Sequence, residues 1–558
     1  MFGGRIVSLN TPIILAIGVT VGVNMLLPTA AAAQSAGEPA AIERTIPKSL
    51  PDSRPTVQVT APTQAVGGQT ITTGRFTLGA VHIEGATVFT PADLSQYFEP
   101  FLATEVDEKT LADVAGRITD HYRRAGYLLS YAMLPPQDVN AGIVRIVVVE
   151  GRISQVQIEG DGVSEPAIEA IARPLIHEGP LRTPSLERAI GLIRDFNGVI
   201  VSDVSLARSP DDPAQHLLKI LLRRDRAKAL AYTDNRGTDP AGRLRFYSST
   251  SLASLVTAGD QLRIDLFVIP GRHYRYAYGQ VAASVPLGSD GWKVGISASA
   301  GDNSQRSSGN RNDGRSTNLA AQLSYPILRG RSLTLVGKAS LNDWRSVGDE
   351  DHDRNQRDRL RVARIGLDIF NEEITRLTGE IAISRGLGFG TMTRVGDPLA
   401  SRPDASGRFT KAAFTLQLSH PLTDRITLQG IVAGQISDRP LLSAEEFALG
   451  GNRLGRAFDF NEVAGDRGAA AGLEMAYRLD GLKKIVDRLE LFGFVDVGAA
   501  GQAGSDSGLP KSRSLASAGV GSRFSMAGIS LSAEVGFPLH LEGEKKSARG
   551  FVSAFKAF

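Results

Sequence analysis

Beyond residue 228 the chain alternates apolar and polar positions with a period of two. Leu333, Leu335, Gly337, Ala339 and Leu341 interleave with Ser332, Thr334, Lys338 and Ser340. Leu377, Gly379, Ile381 and Ile383 interleave with Thr378, Glu380, Ala382 and Ser384, and the run 425–432 repeats the pattern. Each run is a strand with one apolar and one polar face, as a strand between lipid and a watery lumen requires. About sixteen such segments end at Phe558, an even count that suits a closed antiparallel barrel. Short turns (PLTDR, LRGRS, DGWK) alternate with polar stretches read as long loops: DNSQRSSGNRNDGR, VGDEDHDRNQRD and 386–408. The alternative is a soluble β-sandwich. Strand number, strand length and an export signal favour the transmembrane β-barrel.

Upstream the period changes. FTLGAVHIEGATVF predicts a strand that buries Leu78, Val81 and Ile83, with a short helix following at PADLSQYF. DEKTLADVAGRITDHYRRAGY predicts a longer helix with Leu111, Val114, Ile118 and Tyr122 on one face. Acidic residues open it, arginines close it, and Gly126 stands at its C-terminal boundary. Strands follow at 127–134 and 142–151. The order β-α-α-β-β then repeats, with a strand at 153–162, helices at 165–175 and 185–197, and strands at 199–207 and 216–224. VHIEG and VQIEG mark the same opening strand twice, so two α+β modules of similar length stand in tandem.

Composition narrows the class. The 558 residues exceed one ordinary domain, and a mean hydropathy of −0.07 excludes a bundle of apolar helices but not a barrel, whose strands average out. A net charge of +3 argues against an extended nucleic-acid surface, and the absence of cysteine removes disulfides, thiolate metal sites and cysteine nucleophiles. MFGGR, the apolar run 12–28 and Ala31-x-Ala33 before Gln34 fit an export signal cleaved after residue 33; a retained membrane anchor is the alternative. Residues 34–75 are rich in Pro, Thr, Ala, Gln and Gly, and read as a linker that could hold one short helix.

Two motifs give the barrel a site. The stretch 449–468, LGGNRLGRAFDFNEVAGDRG, puts Arg456 in a long glycine-rich loop. Phe494-Val495-Asp496-Val497-Gly498 lies on a strand whose other face carries Leu489, Leu491, Gly493, Val495 and Val497. Asp496 therefore shares the lumen face with Glu490, Phe492 and Phe494, where a carboxylate can receive a guanidinium. No nucleophile elbow or zinc-protease motif occurs, and GLGFG (386–390) precedes no helix, so neither catalysis nor a nucleotide, cofactor or metal site is expected. DEDHD (349–353) could hold a cation, or be a solvated loop. RHYRYAYG (272–279) could be a nucleic-acid patch, or an interfacial aromatic girdle with arginine on the lumen side.

The whole layout resembles the outer-membrane transporters of two-partner secretion (TpsB; the ShlB/FhaC/HecB haemolysin secretion/activation family, Omp85 superfamily). The stretch 131–160 is close to that family's junction between two POTRA domains. The loop resembles its sixth-loop signature, two glycines and then V-R-G-Y/F: here Gly450, Gly451, Gly455-Arg456-Ala457-Phe458, followed by Gly465, Asp466 and Gly468. Gly455 and Ala457 depart from it. Phe494-x-Asp496-x-Gly498 matches the second signature.

The resemblance implies that 76–151 and 152–226 are POTRA domains and 227–558 a sixteen-stranded outer-membrane barrel. Loop 438–469 would fold into the lumen and pair Arg456 with Asp496, and a helix within 35–60, as in some relatives, could add to the plug. It also implies ATP-free export of an unfolded exoprotein that carries an N-terminal secretion domain, captured by the POTRA domains in the periplasm. Phe558 would be the signal read by barrel-assembly machinery, and Lys556 could snorkel at the interface. Outer-membrane lipid is the remaining partner, with nucleic acid excluded. An assembly factor that inserts other barrels and a passive porin are the alternatives.

Overall fold

The computed structural model describes residues 59–60, 74–139, 141–160, 165–237, 242–271, 274–307, 310–390, 392–480, 486–503, 512–542 and 547–558. The expected export signal (1–33) lies outside the described residues. So does the linker 34–75 with its expected plug helix, except Val59–Thr60 (β1) and residues 74–75.

The first module contains β2 (Phe76–Thr77), β3 (Ala80–Glu84), α1 (Pro91–Ser95), β4 (Glu105–Val106), α2 (Glu108–Arg124), β5 (Tyr131–Met133) and β6 (Ile143–Val149). Its sheet runs β3-β6-β5, parallel then antiparallel. Asp107 caps α2 through the Thr110 amide, and Leu111, Val114, Ile118 and Tyr122 form one fully buried stripe, as 3.6-residue spacing dictates. The predicted opening strand is interrupted after Thr77, where Leu78 turns wholly inward; Val81 and Ile83 are only half-buried, because this three-stranded sheet covers little of its edge. The strand predicted from 127 starts at Tyr131, since residues 127–130 turn back on the helix end through the Tyr127 amide and Tyr122 carbonyl.

The second module repeats the topology with β7 (Arg152–Glu159), α3 (Glu165–Ala172), α4 (Pro174–His177), α5 (Thr183–Arg194), β8 (Val199–Arg208) and β9 (Gln215–Arg224). Its sheet runs β1-β8-β9-β7. The helix predicted over 165–175 breaks at Arg173-Pro174, where the proline lacks a donor and clashes with the preceding turn.

Sixteen antiparallel strands follow and close on themselves. They are β10 (Ala227–Asp234), β11 (Arg245–Ala253), β12 (Gln261–Ile269), β13 (Tyr274–Leu287), β14 (Trp292–Ser307), β15 (Asn310–Arg329), β16 (Leu333–Glu350), β17 (Asp353–Glu372), β18 (Arg376–Gly386), β19 (Thr410–Pro421) and β20 (Ile426–Ser437). A short hairpin within the next connection, β21 (Phe447–Leu449) and β22 (Val463–Gly465), precedes β23 (Arg467–Arg478), β24 (Arg488–Gly501), β25 (Ser512–Met526), β26 (Ile529–Leu541) and β27 (Arg549–Ala557). Strand β27 pairs back onto β10, and the Phe558 backbone extends that ladder to Ala229. The Phe558 ring is exposed, with the Lys556 ammonium 4.7 Å from its centre.

Two expectations need correction. Within the polar stretches 302–315 and 347–358 the ladders continue rather than stop: β14–β15 pair as far as Ser307 and Asn310, and β16–β17 as far as Glu350 and Asp353. Cross-strand ion pairs such as Arg315–Asp302 and Arg354–Asp349 replace apolar contacts there, so polarity alone does not end a ladder. In the run 272–279, Tyr274 and Tyr276 point into the lumen against Tyr247 and Phe267, while Arg275 is exposed outside, the reverse of a girdle.

Candidate functional site

Seating of the second module fixes which end of the barrel faces it. Strand β9 runs almost directly into β10, so the turns 254–260, 288–291 and 330–332 lie on the module side. Helix α5 and the residues after it are stapled to those turns. Arg329 forks onto Asp195 at 2.7 and 3.0 Å, Lys293 donates to the Asp195 carbonyl at 2.7 Å, and Arg188 reaches the Pro326 and Asp290 carbonyls at 3.1 Å each. The connection 438–466 belongs to the opposite end, yet it folds inward against β20, β23, β24, β25 and β26.

Its tip carries Arg456. The guanidinium donates from Nε and Nη2 to the two carboxylate oxygens of Asp496, at 3.1 Å each, and the Arg456 amide reaches the same carboxylate at 3.0 Å. Nη1 bonds Glu474 Oε2 at 2.6 Å. The guanidinium carbon stands 3.6 Å from the Phe494 ring centre, adding a cation–π contact. Glu474 is held a second time by Arg523, at 2.5 and 3.0 Å, and Arg523 covers Phe492. Asp496 has no exposed surface and Arg456 only 8%, and Glu474 is buried as well, while Arg523 closes the cluster from its partly exposed side, so two cations and two anions neutralise one another.

The remaining motif residues surround this cluster in different ways. Phe458 is buried in an apolar layer with Leu449, Leu454, Ala457 and Val463, packed on Ala433, Ala470, Ala500 and Leu515 of the wall. Gly498 admits that layer: a Cβ there would stand 2.7 Å from Ala470 Cβ and 2.8 Å from Leu449 Cδ1. Gly455 has φ +80, a conformation a β-branched residue does not adopt, so the departure from the family's valine is built into this loop's turn. Gly450 and Gly451 close the same turn through amide bonds to Leu454 and Phe458. Gly465 ends the small hairpin, and Gly468 opens β23 against Phe447.

Asp466 lies apart from the inner cluster. It is fully buried near the outer end and accepts from Arg402 Nη1 at 2.8 Å and from the Leu441 and Ala503 amides at 2.7 Å. Arg402 comes from the connection 387–409 and also bonds Glu446 and Asp404. A second apolar cluster, Leu360, Val362, Phe409, Leu441 and Leu442, packs that connection against the base of the inward loop.

Sequence reasoning brought Arg456 and Asp496 together but missed Glu474, Arg523, Arg402 and Arg236. Glu474 was accessible from parity, since Leu473 and Met475 point outward. Arg402 sits in an aperiodic loop with no comparable signal. Arg236, just past β10, donates at 3.1 Å to the Gly451 and Arg456 carbonyls, ion-pairs with Glu534 of β26 and covers Phe551 of β27. The loop tip is thereby tied to both strands flanking the β10–β27 closure.

Residues 220–524, more than half of the chain, match the family described as haemolysin secretion/activation protein ShlB/FhaC/HecB; residues 76–151 match the ShlB-type POTRA domain. The heme/hemopexin transporter protein HuxB of Haemophilus influenzae (strain 86-028NP) is 23% identical over 451 residues, 78% of each chain. The outer membrane transporter CdiB of Dickeya dadantii (strain 3937) is 24% identical over 422 residues, 71% of each. The solved structure of CdiB from Escherichia coli shares the fold, with a TM-score of 0.72 at 20% identity over 93% of this chain and 95% of that one. Barrel, POTRA module and family match agree: the chain belongs to the haemolysin secretion/activation family ShlB/FhaC/HecB, the outer-membrane transporters of two-partner secretion.

Proposed function

We propose that this transporter exports one large haemolysin- or adhesin-like exoprotein, delivered unfolded to the periplasmic face and recognised by its N-terminal secretion domain. The inward loop is the plug, and Arg456, Asp496 and Glu474 hold it closed. The observation that carries this reading is the neutral, buried cluster joining the loop tip to the middle of β23 and β24. A loop with no role in the lumen would leave its charges in water, where they cost nothing to hydrate.

Residues 76–151 and 152–226 act as POTRA receptors. Among the described residues, β3, β5 and β7 each have one unpaired edge, whereas the edge of β8 carries β1. An extended cargo segment can add to such an edge by main-chain hydrogen bonds. The Asp195–Arg329 staple holds the second module at the barrel mouth, so a captured segment is presented to the lumen. No catalytic step or nucleotide is involved; folding of the cargo outside makes passage irreversible. Phe558 is the signal for barrel assembly, and residues 1–33 direct export of the transporter itself.

Deleting 76–225 should abolish secretion of the cognate exoprotein while a closed, detergent-extractable barrel still accumulates. Secretion at the wild-type level by that variant would refute the receptor role.

A further inference from the structure

The outer wall of the barrel is asymmetric in charge. Outward positions of β15–β18 first form an apolar belt, in which Leu319, Leu341, Ile365 and Ile383 are 61, 51, 73 and 59% exposed. Continuing away from the POTRA side with the same parity, they become arginine: Arg315 on β15, Arg345 on β16, Arg359 and Arg361 on β17, Arg385 on β18. Cross-strand register makes the patch contiguous. Arg345 lies opposite Arg359 and Thr317, Arg361 opposite Asp343, and Arg385 opposite Ala363.

Two outward carboxylates accompany the five guanidinium groups. Asp343 receives Arg345 and Arg361, and Asp302 receives Arg315, leaving three positive charges in excess. The side chains of Arg315 and Arg345 remain 76 and 51% exposed despite those bonds. On the opposite flank, the outward positions at the same end of β24–β26 are Val497, Ala499, Ala516, Phe537 and Leu539, none charged. Solubility does not require a cationic band on one flank only.

Height identifies the partner. Arg385 is two residues beyond Ile383, while Arg315, Arg345 and Arg361 are four beyond their apolar counterparts. At about 3.4 Å per residue this is roughly 7–14 Å along the strand, and less along the membrane normal because the strands tilt. Head groups occupy about 5–8 Å beyond the hydrocarbon on each side. The guanidinium groups of Arg315, Arg345 and Arg385 thus stand at head-group level on the outer wall; Arg361 beside them also touches Phe389 of the connection 387–409, and Arg359 lies level with Arg345 by register. Planar, permanently charged forks at this spacing suit phosphate oxygens, which accept two parallel bonds each. We infer that the outward face formed by Arg315, Arg345, Arg359, Arg361 and Arg385 binds the phosphate groups of an anionic glycolipid in the outer leaflet. Bound lipid orients the β15–β18 flank and relieves repulsion among its arginines.

The test uses the full-length transporter in neutral detergent, incubated with diphosphorylated lipid A, with the same lipid dephosphorylated, or with phosphatidylethanolamine, and analysed by native mass spectrometry. The wild type should retain the diphosphorylated lipid at least tenfold more than either control. R345Q/R361Q/R385Q should lose at least tenfold of that retention, and the matching lysine variant should keep most of it. Heat-modifiable migration reports folding; if the glutamine triple does not fold, R315Q/R385Q carries the same comparison with the more exposed side chains. Equal retention by wild type and glutamine variant, or equal retention of phosphorylated and dephosphorylated lipid, would overturn the inference. So would a folded variant that keeps the lipid but loses secretion, which would assign the face to cargo.

Discussion

Truncating Arg456 should unlatch the inward loop, and the structure sets how far. In R456A the backbone amide at 456 still reaches Asp496, and Ser517 still donates to it at 3.3 Å, but among the described residues no cation then faces this fully buried carboxylate. Glu474 fares better because Arg523 still forks onto both its oxygens. One stranded charge in a buried pair costs about 3–5 kcal/mol. At about 1.4 kcal/mol per decade, the displaced-loop population should rise by roughly two to three and a half orders of magnitude. D496N should cost less, about 1.5–3 kcal/mol, since Arg456 keeps Glu474 and the Phe494 ring. Planar-bilayer recordings of opening frequency, with antibiotic sensitivity of cells as a second readout, should rank R456A above D496N above wild type. The double variant R456A/D496N should fall short of the sum of the singles by about 0.5–3 kcal/mol. A simple exchange, R456D/D496R, should rescue poorly, because the new carboxylate would face Glu474; adding E474Q should improve it. Folded R456A that opens no more often than wild type, or strictly additive single and double changes, would refute the reasoning.

Further outcomes follow from other contacts. R402Q removes the cation that faces fully buried Asp466 and should loosen the connection 387–409, seen as faster amide exchange at Leu441 and Ala503, while the Arg456 cluster stays protected. G455V should destabilise the plug loop by about 1–2 kcal/mol, even though valine is the family's residue there, because Gly455 sits at φ +80; opening frequency reports it. D195N should weaken the forked contact with Arg329 and lower secretion without changing barrel conductance. Burial pushes the Glu150 carboxyl up, but hydrogen bonds from the Thr87 side chain, the Val88 amide, Tyr122 and the Thr87 amide outweigh it and hold its pKa below the ordinary 4.5. A depressed carboxylate contributes stability above its unfolded value and loses it as pH falls through the folded one. Protection of the Thr87 and Val88 amides should therefore be constant above about pH 5 and decline below 4.5, and E150Q should flatten that decline.

Strand number, the faces of the regularly alternating strands and the repeated module were legible because they depend on period and composition, which chain neighbours carry; the run 272–279, aromatic at every second position, reads the wrong way round. Alternation put Asp496 in the lumen and the 3.6-residue stripe put Tyr122 in a core, as the structure places them. The Arg456–Asp496 pairing was reached through a family signature rather than through spacing. Where a ladder stops was not legible: 302–315 and 347–358 look like loops, and only the facing strand shows that ion pairs sustain them. Equally hidden were Arg402 against Asp466 and Arg236 against the loop tip, pairs 64 and 220 positions apart. A charge in a loop has no period, so its partner is decided by where barrel closure brings distant chain together. That step belongs to tertiary structure, because burial removes water and leaves each charge only the neighbours the fold supplies.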